Sequence, residues 1–138
     1  MLGRMTPPVA PEAHFHAAYR AHAGPRADEK SARASILLEA VRTHLGGEPV
    51  LTSLGARRFL ATPERVSFRL EHPNPAGVRT VVVTVEPNGF FAMDCFGEPP
   101  AGGLTPVLAG YATQIVPDSL ATVLGKLTGL ESIHHRHY

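Results

Sequence analysis

A single cysteine and no tryptophan stand in this chain of 138 residues. One thiol, Cys95, excludes an internal disulfide and any metal site built from several cysteines. Lysine is almost missing: of the 13 basic residues only Lys30 and Lys126 are not arginine, a bias that base composition explains as readily as chemistry. Long apolar runs are absent as well. No stretch approaches the roughly 20 residues a membrane-spanning helix needs, and the first residues lack the apolar core of a secretory signal. The expectation is a cytoplasmic protein without a membrane partner. Charge of one sign is also lacking, since the net charge is +1 and a nucleic-acid binder usually carries a stronger basic bias.

What is present suits one folded domain. The hydrophobic content is 43 %, near the globular norm, and the length suffices for a core without disulfides or metal. The 13 prolines and 13 glycines are scattered, so they read as loops. The organising stretch is VRTVVVTVEPNGFFAMDCF, Val78 to Phe96. Its two β-rich runs flank Glu86-Pro87-Asn88-Gly89, and Asn-Gly is a strong hairpin signal because both residues tolerate positive φ. Val81, Val83 and Val85 point one way and Thr80, Val82 and Thr84 the other, which suits a central strand with some cover on both faces. Cys95 then sits with Phe91 and Met93 on the inner side, as a small buried hydrophobe.

Along the chain, residues 1–27 hold Pro7, Pro8, Pro11, Gly24 and Pro25 without a sustained apolar period and read as an N-terminal arm. A helix is predicted from Asp28 to Leu45. Asp28 caps it, Leu37, Val41 and Leu45 form its stripe, Glu29 and Arg33 pair on its wet side, and Gly46-Gly47 stops it. Pro49 to Leu60 reads as one or two short strands, or a strand and a turn. Val66, Phe68 and Leu70 alternate with Arg65, Ser67, Arg69 and Glu71, the pattern of a strand with one wet face. Gly97 to Gly110 reads as an irregular loop with a short strand at Val107 to Ala109. Tyr111 to Val116 leads into a last helix that starts near Pro117 and ends at Gly129, with Leu130 folding back. The fold class is α+β: an antiparallel meander of three to four strands with an N-terminal and a C-terminal helix. The domain spans 28–133, and 134–138 form a histidine-rich tail.

Chemistry-bearing residues are sparse. Arg65 and Arg69 share a wet strand face with Arg57 and Arg58 just upstream, the best basic patch in the chain and equally the guard of an ordinary edge strand. Phe90 and Phe96 load one side of the hairpin with aromatic surface. Asp94 lies on the same side, and needs an arginine partner if that side is covered. His14, His16 and His22 in the arm, and His134, His135 and His137 in the tail, do not make a metal site without further ligands. No cofactor or metal is expected. Neither a nucleophilic triad nor paired carboxylates can be read from the spacing, so an enzyme is not expected.

The runs ILLEAVRTHLGG, SLGARRFL, RVSFRLEHPNPAGVRTVVVTVEPNGFFAMDCF and IVPDSLATVLGKLTGLES resemble a group of small uncharacterised proteins of bacterial phage and plasmid regions. Its marks are a helix ending in L-G-G, a G-A-[KR]-x-F segment, an L-S-F-x-L strand and a terminal T-G-L. The resemblance covers Ile36 to Ser132 and implies an accessory role in a mobile genetic element. The expected function is therefore a non-enzymatic, protein-binding module of such an element, one that modulates host machinery. Its expected binding residues are Arg57, Arg58, Arg65, Arg69, Phe90 and Phe96. The alternative is nucleic-acid binding through the arginines, and a homodimer would use the same aromatic patch.

Overall fold

In the computed structural model of the protein, residues 28–130 are described. The chain divides into two units at Arg33/Ala34; of the first, residues 28–33 are described and are helical, with Arg33 4.0 Å from Glu29. The predicted arm and histidine tail lie outside the described residues.

The valine run folds as a strand with one dry side. Val81 and Val83 are fully buried, while Val82 and Thr84 between and beside them are half-buried. This strand, β3 (Val78–Val85), is the middle of a five-stranded antiparallel meander. Its neighbours in order are β1 (Ala56–Ala61), β2 (Arg65–Leu70), β4 (Phe91–Gly97) and β5 (Val107–Ile115). Helix α1 runs through 28–44. Helix α2 is Gly47–Leu54, and α3 is Leu120–Thr128 after a 3₁₀ turn at Pro117–Ser119. The class is α+β with helices at both ends.

The core is one contiguous cluster. Val41 and Leu45 of α1 and the turn after it, Leu51 of α2, and Leu120 and Leu124 of α3 pack on Val66, Phe68, Val81, Val83, Met93, Cys95 and Ile115. All these strand residues lie on one face of the sheet. No side chain from the other face belongs to the cluster, so the cover expected on both faces of β3 exists, among the described residues, on one. Arg42 extends the packing by laying its guanidinium 4.8 Å from the centre of the Phe59 ring, which stacks on Phe68 at 5.0 Å.

Two segments differ from expectation. Pro49 to Leu54 is helical, not extended, because Val50, Leu51 and Leu54 at i, i+1 and i+4 form a stripe that outweighs the β-leaning local composition. The strand count is five. The meander gains β1 from Ala56–Ala61, and β5 continues to Ile115 through what reads as a lead-in to the last helix. Gly110 in this strand lies under α3, where a Cβ would come within 3.1 Å of Leu127 Cδ2.

The hairpin turns where Asn-Gly places it, but with a different geometry. Gly89 N–H donates to Glu86 O at 2.8 Å, and Gly89 is left-handed at φ 88. Asn88 keeps negative φ, so the turn is a type I turn opened by Pro87 and closed by a left-handed glycine, not the two-residue turn that Asn-Gly suggests. At the end of α3, Gly129 has φ 83, and Leu130 N–H donates to Gly125 O at 2.9 Å, the predicted Schellman stop. Asn74 ties the β2–β3 loop through two 2.8 Å hydrogen bonds with the Val78 backbone.

The one-sided core makes a direct prediction. Phe68→Ala should cost about 3–5 kcal/mol of unfolding free energy, whereas Leu60→Ala, on the opposite face and 71 % exposed, should stay within about 0.5 kcal/mol. Urea titrations of the two variants measure the difference.

Candidate functional site

Because cross-strand partners share a face, the ladder registers assemble the sheet's open side residue by residue. Leu60, Ser67, Val82, Asp94 and Tyr111 make one row, and Arg57, Arg69, Thr80, Phe96 and Leu108 make the next. Arg65, Thr84 and Ala92 begin a third. Charge is concentrated on β1 and β2, and aromatic and aliphatic surface on β4 and β5.

The expected binding residues are only partly brought together. Arg57 and Arg69 stand opposite one another. Each is tied to a carboxylate, Arg57 to Glu71 and Arg69 to Glu98, both at 3.3 Å. Arg65 is four residues from Arg69 along β2, about 13 Å away, so it does not join them. Phe96 lies half-buried beside Leu108 on the open face. Phe90 closes the hairpin, its carbonyl accepting from Glu86 N–H at 2.7 Å. Phe91, the third aromatic of the run, is buried at 5 % exposure. Asp94 is half-buried between Val82 and Tyr111, and the ion pairs among the described residues do not include it.

Arg58 and Arg79 owe their placement to β-bulges. The β1–β2 register slips between Arg57 and Leu60, and the β3–β4 register slips between Val78 and Thr80. A bulge inserts an unpaired residue and re-aims its side chain. Arg58 is held at φ 60, a left-handed conformation that costs a non-glycine residue about 1–3 kcal/mol. Both arginines reach one cleft of about 480 Å³, lined also by Arg69, Leu70, Glu71 and Glu98. Arg79 Nη1 donates to the carbonyls of Leu70 and Glu71 at 3.5 and 3.3 Å. Arg79 was not legible as a site residue; its only trace is two residues, not one, between the buried Val78 and Val81.

The uncharged side has its own sequence basis. From Pro99 to Pro117 there is no charged residue, and this segment exposes Leu104, Val107, Leu108, Tyr111 and Val116. Tyr111 is 64 % exposed. The β4–β5 register slips twice, and Gln114 has φ 54, so bulges, rather than charges, interrupt this edge.

A second cleft of about 370 Å³ lies between α2 and α3, lined by apolar side chains such as Leu45, Val50, Leu54 and Leu124. Its hydroxyls are occupied by their own helices: Thr128 Oγ1 donates to Leu124 O at 2.7 Å, and Ser53 Oγ to Val50 O at 2.8 Å. No charged side chain of the described residues lines the cleft. His44 Nδ1 is 3.9 Å from Asp118, a pair at the end of the helical layer. Among the described residues no group of three metal-ligating side chains occurs, and no helix is long and apolar enough to cross a membrane.

No protein-family model matches the chain, and no curated protein or solved structure is similar to it.

Cys95 is fully buried. Its thiol is pushed up from 9.0 to about 12, chiefly by burial and secondarily by the Asp94 carboxylate. The folded state therefore keeps a proton that the unfolded chain loses. The stability this contributes is complete below the unfolded value near 9 and declines as pH rises toward 12. The thiol should resist a disulfide reagent at about pH 8 until the protein is unfolded. The urea midpoint should fall more steeply above pH 9 in the wild type than in Cys95→Ala.

Proposed function

We propose that this protein is a non-enzymatic binding module that docks a protein partner on the β4–β5 side of its open sheet face. The observation that carries the reading is the charge-free segment 99–117, which exposes Leu104, Leu108 and Tyr111, with Leu108 opposite the half-buried Phe96. Depletion of charge, with an aromatic residue at the centre, is the composition of an interface core, and tyrosine is a frequent anchor there. Burial of the only thiol removes the strongest side-chain nucleophile of the chain and favours binding over catalysis. The accessory role in a mobile genetic element, with modulation of host machinery, rests on the motif resemblance, and a cytoplasmic location on the sequence composition.

Nucleic-acid binding through Arg57, Arg58, Arg65 and Arg69 has less support. Two of these arginines are tied to glutamates and Arg65 stands apart, whereas a backbone-tracking surface needs a continuous basic strip.

A lysate pull-down with the full chain, run with and without nuclease, separates the two readings. The protein-docking reading expects a discrete protein retained after nuclease, with recovery reduced at least about tenfold by Tyr111→Ala combined with Leu108→Asp and unchanged by Arg65→Ala. Recovery that vanishes with nuclease, or that depends on Arg65, contradicts it. A second copy as the partner would appear as a dimer in sedimentation that the same double substitution dissociates.

A further inference from the structure

We propose that the Arg58–Arg69–Arg79 cleft is a binding site for a compact anion of the phosphate class, such as a phosphomonoester or diphosphate group. This is separate from the protein-docking reading and uses the opposite end of the open face.

Arg58, Arg69 and Arg79 all line one cleft of about 480 Å³. Arg58 lies in the bulged stretch of β1, and Arg79 is the extra residue of the bulge in β3. The ion pairs among the described residues include neither Arg58 nor Arg79. Arg79 is half-buried and oriented by two backbone carbonyls that engage only its Nη1, which leaves its other N–H donors for a ligand. Arg69 spends one nitrogen on Glu98. A guanidinium has five donors in a planar fork that matches phosphate oxygens in pairs. Three arginines on one cleft, one of them oriented by backbone carbonyls, offer the donors that a tetrahedral oxyanion takes.

The same geometry selects a compact group over a nucleic-acid strand. Glu71 and Glu98 also line the cleft, each balanced by its own arginine, Arg57 and Arg69, so the excess positive charge is confined to Arg58 and Arg79 and does not run on as a strip for the successive phosphates of a strand. Glu98 is also the competitor an incoming anion must displace from Arg69. Arg58 is held at φ 60, which glycine adopts without strain, so replacing it with glycine separates loss of its side chain from loss of stability.

The test is a titration of the ¹⁵N-labelled full chain with inorganic pyrophosphate at constant ionic strength, following the arginine Nε–Hε resonances. Saturable shifts confined to Arg58, Arg69 and Arg79 are expected. Arg58→Gly should weaken binding at least about tenfold while raising the urea midpoint, so lost binding is not lost folding. Glu98→Gln should tighten binding by about threefold. An unchanged titration in Arg58→Gly, or shifts spread evenly to Arg33 and Arg65, overturns the site. A single-stranded oligonucleotide binding more tightly than pyrophosphate at equal phosphate concentration overturns the compact-anion assignment. Comparing inorganic phosphate with adenosine monophosphate then distinguishes a free anion from a phosphate borne on a larger small molecule.

Discussion

The dry side of the β3–β4 hairpin is the contact on which the rest of the protein depends. Val81, Val83, Met93 and Cys95 are all fully buried, and each such side chain contributes about 1.5–3 kcal/mol by leaving water. The helices cover this same face and reach the outer strands as well, α3 lying on β5 and Arg42 of α1 on Phe59 of β1. Because strand side chains alternate, committing this face to the core leaves Thr80, Val82, Thr84, Ala92, Asp94 and Phe96 on the other. The open face is thus a by-product of the core. What makes it specific is how the outer strands are decorated.

The outer strands part company in their chemistry. On β1 and β2 the chain concentrates arginines, which meet Glu71 after β2 and Glu98 after β4, and the bulges in β1 and β3 add Arg58 and Arg79 to the same cleft. On β5 it removes charge altogether and relies on bulges to interrupt the edge. Both ends avoid continuous edge pairing, one by charge and irregularity, the other by irregularity alone. An ion-rich cleft and a tyrosine-bearing surface therefore share one sheet face, with Asp94 opposite Tyr111 and Phe96 in the row of Arg57 and Arg69.

Much of the fold was legible because its signals are local. The valine alternation, the wet-dry pattern of Arg65 to Leu70, the stripe of the first helix and the Gly129 stop each depend on a few adjacent residues. The failures have a common cause in tertiary packing. Pro49 to Leu54 has β-leaning composition, and its short helix is held by Leu51 entering the core. β5 carries Gly110 and two bulges that blur a strand's period, and it exists because β4 and α3 offer it a place. The arginine site was half legible for the same reason. Arg57 and Arg69 follow from strand pairing, but alternation alone cannot foresee the bulges that bring in Arg58 and Arg79, nor the distance that leaves Arg65 out.

Everything proposed for this protein presupposes that its sheet has one dry face and one available face. Two adjacent residues of the central strand test this most directly. Single cysteines at Val82 and at Val83, each in a Cys95→Ala background, should label with a maleimide at very different rates under native conditions. The account predicts ready labelling of Val82→Cys, with Val83→Cys at least about a hundredfold slower because its thiol is reached only through unfolding. Equal rates, or faster labelling of Val83→Cys, would contradict it.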